Sequence, residues 1–249
     1  MKKMNVLILA AGRGSRLGKI SQNKPKILLN FEGKTIFDHQ LEVYKKIKNI
    51  KLHVVGGYKI NKLKKYILKK DIKLINNEKF KYTNMYYSFL LAEKLMKKKS
   101  DLVIVYGDII FRKNIFKKLI NKKDPISVSV DRKFMKYWKM RMKKPLYDLE
   151  TLKINKKNQI TEIGKKPKGY NEIQGQYIGL IKISHKYFKQ IRILMKKISN
   201  EIQDYKNLYM TDFLQYLINN KVKICPSYHN GDWQEFDKPI DFKINNFKG

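Results

Sequence analysis

The chain reads as an α/β protein: three layers, with a mostly parallel mixed sheet carrying helices on both faces and a small β-hairpin insertion. Two observations predict this. Short apolar runs alternate with amphipathic stretches along most of the chain, the rhythm of βαβ units. The first apolar run, Val6 to Leu9, passes directly into a glycine-containing loop with cationic side chains, an arrangement suited to the carboxyl end of a sheet strand.

After the loop, Lys34-Thr35 opens a helix in which Thr35 and Asp38 have capping-box spacing, and Phe37, Leu41 and Tyr44 share a face. Leu52 to Val55 is the second strand, residues 59–69 a helix, and Ile72 to Ile75 the third strand. Tyr86 to Met96 is expected to be a third helix. Leu102 to Tyr106 is a strongly apolar strand ending at Gly107-Asp108, and Ile126 to Val130 is the next. Residues 131–150 mix lysines with Phe134, Tyr137, Trp138 and Tyr147. Leu152 to Ile154 and Ile160 to Ile163 flank a polar turn and suggest a hairpin. Gln176 to Ile183 is a strand. Ser184 is expected to cap an amphipathic helix with Tyr187, Phe188, Ile191, Leu194, Met195 and Ile198 on one stripe. Thr211 is expected to cap a further helix, and Val222 to Cys225 to form the last strand. No repeat or linker divides the chain, so residues 1–249 are expected to form one domain, with the region around 131–175 as an insertion.

Composition narrows the function. A hydrophobic content of 43% supports a real core. The single cysteine, Cys225, rules out an internal disulfide and suits a reducing compartment. His39, His53, His185 and His229 lie too far apart for zinc-ligand spacing. No apolar run has membrane-spanning length, and Met1-Lys2-Lys3 is too brief for a leader, so a cytoplasmic protein is expected. The net charge of +35 invites a nucleic-acid reading, but lysines supply nearly all of it and are spread evenly. Only Arg13, Arg16, Arg112, Arg132, Arg141 and Arg192 are arginine. The charge is therefore expected to speed encounter with polyanionic nucleotides, and nucleic-acid binding is kept as an alternative of another class. The sequence carries no signal for oligomeric state.

The opening loop, Leu9-Ala10-Ala11-Gly12-Arg13-Gly14-Ser15-Arg16-Leu17, is followed by Asn23-Lys24-Pro25-Lys26. Glycines let backbone approach an anion, and Arg16 and Lys26 add fixed positive charge. It is not a P-loop: Gly18-Lys19 is followed by Ile20, and Gly14 lies one residue too close to Gly18. Nor is it a dinucleotide fingerprint, because Leu17 takes the third glycine's place and Val55-Gly56-Gly57 ends without an acidic residue.

Two glycines, an arginine, a leucine and a spaced Lys-Pro-Lys resemble the GT-A-like nucleotidyltransferases, the superfamily of sugar-1-phosphate nucleotidylyltransferases and bacterial cytidylyltransferases. Asn84-Met85-Tyr86-Tyr87-Ser88, Val55-Gly56-Gly57-Tyr58 and Gly175-Gln176-Tyr177-Ile178-Gly179 resemble segments of the branch acting on phosphocholine or phosphoglutamine.

The resemblance implies that Leu9 to Ser15, Gly56, Asn84 and Ser88 bind nucleotide, with Arg16 and Lys26 catalytic. Tyr86, Gln176 and Tyr177 would bind the acceptor. Asp108 and Asp237 would hold Mg²⁺, which takes hard oxygen ligands and bridges phosphates; Glu235 or Asp232 could replace Asp237. The implied reaction joins CMP from CTP to a small phosphorylated acceptor, for capsule polysaccharide decoration such as a phosphoramidate. A sugar-1-phosphate enzyme using UTP or dTTP is the nearer alternative. For the acceptor head, Tyr137, Trp138, Tyr147, Asp148 and Glu150 offer an aromatic, acidic cage. The surrounding Lys133, Lys136, Lys139, Arg141, Lys143 and Lys144 instead favour an acceptor with its own carboxylate, and tip the reading toward phosphoglutamine.

Overall fold

The computed structural model describes residues 3–97 and 99–247; Met1 and Lys2 of the expected non-leader lie outside them. The chain runs β1 (Met4–Ala10), β2 (Asn30–Phe31), β3 (Lys34–Thr35), α1 (Ile36–Lys45), β4 (Ile50–Gly56), α2 (Ile60–Ile67) and β5 (Ile72–Asn76). It continues through α3 (Met85–Leu90), β6 (Asp101–Tyr106), β7 (Ile109–Phe111), α4 (Lys113–Ile120), β8 (Ile126–Asp131) and α5 (Phe134–Arg141). The rest is β9 (Leu152–Ile154), β10 (Ile160–Ile163), β11 (Gln176–Ile183), α6 (Phe188–Glu201), α7 (Met210–Asn219), β12 (Ile224–His229) and β13 (Trp233–Glu235).

Seven strands form the central sheet in the order β12-β8-β11-β6-β1-β4-β5. Only β11 is antiparallel to its neighbours; the other pairings are parallel. The sheet is therefore mixed and mostly parallel, as the alternating pattern predicts. Side chains of β1 divide between its faces. Leu7 and Leu9 join the core under α3, α6 and α7, while Val6 and Ile8 join the core under α1, α2, α4 and α5. From β1 the chain crosses to β4 on one side, and β6 flanks β1 on the other. That reversal opens a crevice at the carboxyl ends of β1 and β6.

Local signals predict some elements better than others. Thr35 caps α1 as expected, its hydroxyl accepting the Asp38 N–H at 3.0 Å. The β9–β10 hairpin forms as expected. The third helix stops at Leu90, and a 3₁₀ stretch, Glu93–Lys97, replaces its second half. Ser184 makes no side-chain cap; its strand is followed by a 3₁₀ turn, and Asp101 from β6 accepts the His185 N–H instead. Thr211 lies inside α7, which is closed by Asp212 accepting the Tyr209 N–H at 2.7 Å. The expected last strand begins later, at Ile224, and β13 follows it to pair with β7.

Candidate active site

The crevice is floored by β1 and walled by the opening loop. Gly14 adopts a left-handed conformation (φ +67°), and a Cβ there would lie 3.1 Å from Lys26 Cε. Glycine thus gives the turn and lets the lysine stem run against it. At the end of β6, a Cβ on Gly107 would stand 2.7 Å from the Leu9 carbonyl oxygen, which instead accepts the Gly107 N–H at 2.9 Å. This close approach sets Asp108 beside the loop. The N–H groups of Gly12, Arg13 and Gly14 take no partner among the described residues, so they remain open to an anion.

The two aspartates converge. Lys26 Nζ donates to Asp108 Oδ2 at 2.8 Å and to Asp237 Oδ1 at 3.2 Å. Arg16 reaches the other Asp237 oxygen at 2.8 Å while staying 68% exposed. Burial works against the Lys26 charge, but the two carboxylates more than reverse it, so its pKa is raised. The backbones meet as well: the Phe236 N–H donates to the Asp108 carbonyl at 2.8 Å. Two carboxylates close enough to share one ammonium are close enough to share a hard divalent cation. Their donor set, two carboxylates converging on one point now held by Lys26, is the kind Mg²⁺ takes.

A cleft of about 340 Å³ opens over this cluster, lined by Leu9, Ala10, Ala11, Gly12, Gly14, Ser15, Arg16, Lys26, Asn84, Ser88, Asp108 and Asp237. Most of the residues expected to bind nucleotide therefore share one surface. Arg13 does not: it faces a neighbouring hollow and lies 5.9 Å from the Tyr58 ring centre. Gly56 is buried beneath the rim, where a Cβ would press on Leu63, so close helix–strand packing accounts for it. Asn84 also caps α3 through the Met85 N–H, and Ser88 accepts from Asn77 at 3.1 Å. Asn77, Phe80, Thr83 and Met85 line the same cleft unforeseen.

A second hollow, about 240 Å³, adjoins the first across Asp108 and Asp237. Gln176 and Tyr177 line it as expected for acceptor residues, with Gln176 fixed by its donation to the Glu150 carbonyl at 2.6 Å. The acceptor role expected of Tyr86 does not fit its place. Its ring is fully buried and stacked 5.1 Å from Phe213, because the α3 face carrying it turns to α7 rather than to the cleft.

The hollow's ionisable lining is acidic: Asp108, Asp148, Glu150, Glu235 and Asp237, against Arg16 alone. Trp138, Tyr106, Tyr177 and Tyr209 add aromatic surface. Burial, reinforced by Asp212 and Asp148, pushes the Glu150 carboxyl up to about 7. Of the expected cage, Trp138, Asp148 and Glu150 line the hollow, Tyr137 lies buried behind it, and Tyr147 is exposed. Lys133, Lys136, Lys139, Lys143 and Lys144 are exposed and line no part of it. Arg141 is buried against Asp241, Glu235 and Asp148. The argument from these cations to a carboxylate-bearing acceptor therefore fails, since α5 and its flanks turn the lysines outward and Arg141 inward, away from the hollow.

Comparison with known proteins places this geometry. The model of the MobA-like NTP transferase domain matches residues 6–162. The CTP:phosphoglutamine cytidylyltransferase of Campylobacter jejuni is 37% identical over 97% of this chain and 98% of its own. The fold matches that of the CTP:phosphocholine cytidylyltransferase from Streptococcus pneumoniae, with a TM-score of 0.75, 17% identity and coverage of 97% and 96% of the two chains. It also matches the inositol-1-phosphate CTP transferase from T. maritima, with a TM-score of 0.73, 18% identity and coverage of 98% and 93%.

Proposed function

The chain belongs to the MobA-like NTP transferase family, and from that premise we propose that it is a CTP-dependent cytidylyltransferase joining CMP to a small phosphorylated acceptor with release of pyrophosphate. The observation that carries this reading is the meeting of Asp108 and Asp237 on Lys26 at the lip of a cationic glycine loop. Similarity to the Campylobacter enzyme supports a phosphoglutamine-like acceptor, with phosphocholine next. The acidic, aromatic hollow supports the feature those two share, a cationic nitrogen at one end and a phosphate at the other. We assign the product to surface-polysaccharide decoration and the reaction to the cytoplasm, where its nucleotide is held.

The acceptor phosphate is already ionised at neutral pH, so its oxygen attacks the α-phosphorus of CTP without a general base. The protein's task is to bring two anions together and offset the crowded charge. The open N–H groups of Gly12 to Gly14, with Arg16, hold the departing β- and γ-phosphates. Lys26, swinging between carboxylate and phosphate oxygens, meets the α-phosphate. Asp108 and Asp237 would hold Mg²⁺, which when bound supplies positive charge against the phosphate oxygens.

The test is pyrophosphate release with each of CTP, UTP, dTTP, ATP and GTP against phosphoglutamine, phosphocholine, phosphoethanolamine and glucose 1-phosphate, in Mg²⁺. CTP with an amine-bearing acceptor is expected to dominate. Preference for UTP or dTTP with the sugar phosphate would overturn the cytidylyl assignment.

A further inference from the structure

We propose that Arg141 and Asp241 are positioning residues that hold Asp237 in register with Asp108; this rests on the reading of Asp237 as a metal- and phosphate-handling residue. Asp241 is fully buried in a short 3₁₀ turn, Pro239–Phe242. Its Oδ2 accepts the backbone N–H groups of both Asp237, at 2.8 Å, and Lys238, at 2.7 Å. The same carboxylate is forked by Arg141, with Nε on Oδ1 at 2.8 Å and Nη2 on Oδ2 at 3.3 Å. The Arg141 side chain is itself wholly buried, and its remaining nitrogen turns to Glu235 and Asp148.

The strap bearing Asp237 is thus tied at every residue. Tyr137 accepts the Glu235 N–H at 3.0 Å, Asp108 accepts that of Phe236, and Asp241 accepts the next two. Three of these four anchors depend on α5 directly or through Arg141. A buried ion pair is weak evidence for a stabilising role. Here its carboxylate caps the turn at the Lys238 N–H and reaches one residue further, to the Asp237 N–H, so the cap of the turn also fixes the backbone that carries the Asp237 side chain. The basic, aromatic segment 131–150 therefore acts behind the metal-side carboxylate, while Trp138, Asp148 and Glu235 form a wall of the acceptor hollow.

The experiment measures Mn²⁺ binding by the loss of the free-ion electron paramagnetic resonance signal, with and without CTP, beside kcat and KM. Asp241→Asn keeps the shape but cannot accept on both oxygens, and Arg141→Lys keeps the charge but loses the fork. Each is expected to weaken Mn²⁺ affinity by about 10- to 100-fold, the usual cost of losing an outer partner of a metal ligand. Leu217→Ala, a buried truncation on α7, is the control: it is expected to lower Tm with Mn²⁺ affinity unchanged. Should Asp241→Asn fail to fold, Arg141→Lys carries the test. Wild-type affinity in the folded variants, or an equal loss in Leu217→Ala, overturns the proposal. Wild-type protein that binds Mn²⁺ but releases no pyrophosphate overturns the functional reading and leaves this one standing.

Discussion

Lys26 is the residue on which the site turns, because it touches both carboxylates and also lines the nucleotide cleft. Truncating it to alanine removes one preorganised cation, worth about 3–4 kcal/mol of transition-state charge, so kcat is expected to fall by roughly 10²- to 10³-fold. The fold should persist, and a thermal melt read beside pyrophosphate release checks both halves. Normal turnover in Lys26→Ala would remove it from the mechanism. Glu150 gives a second prediction. With its carboxyl pushed up to about 7, it is protonated below that pH and charged above it. An ammonium head in the hollow is held by the charged form, so acceptor KM should fall as pH rises from 6 to 8. Glu150→Gln should flatten the profile in part, leaving the titration of the acceptor phosphate and of Glu235, whose carboxyl is also pushed up to about 7 by burial. An unchanged profile in Glu150→Gln would place the ammonium elsewhere.

Among the elements, the turns at the ends of β1 and β6 carry function, while the cap of α1 carries stability alone. Gly107→Ala would drive a methyl against the Leu9 carbonyl and Ala10, which are backbone and Cβ and cannot swing aside. Overpacking of this kind costs about 1–3 kcal/mol. Because it parts β6 from β1, it should also lower kcat by displacing Asp108. Thr35→Ala should cost about 1 kcal/mol of stability and leave kcat and KM alone. If both variants altered only stability, the close approach at Gly107 would have no part in placing Asp108.

The same contrast explains what could be read from the chain. Buried strands such as Val6 to Leu9 and Leu102 to Tyr106 were legible because both faces are covered and the whole run is apolar. Thr35 was legible because its partner lies three residues away, whereas the group that caps the turn at His185 comes from Asp101 on another strand. The glycine loop and both aspartates were legible as chemistry at strand ends. The anchoring of Asp237 was not, because Arg141 and Asp241 are far apart in sequence and each looks like ordinary surface charge. Tyr86 is illegible for a related reason: α3 and its N-cap send Ser88 and Asn84 toward the cleft and Tyr86 to the opposite side.

Over the whole molecule two fields oppose each other. The chain carries +35, which draws a triphosphate from solution, yet the charged groups lining the acceptor hollow are five carboxylates and Arg16. The first field acts across solvent and is screened within about 8–10 Å at physiological salt. The second acts across a few ångströms inside a partly dry recess, where screening is weaker. Raising ionic strength should therefore depress kcat/KM for CTP steeply, through slower encounter. It should depress that for an acceptor bearing both phosphate and ammonium much less, since its net charge is smaller and its head group is held by local contacts. Steady-state kinetics from low salt to 0.5 M NaCl, varying one substrate with the other saturating, separates the two slopes. Equal slopes would mean that the dispersed lysines guide neither substrate selectively, and that their abundance has no bearing on catalysis.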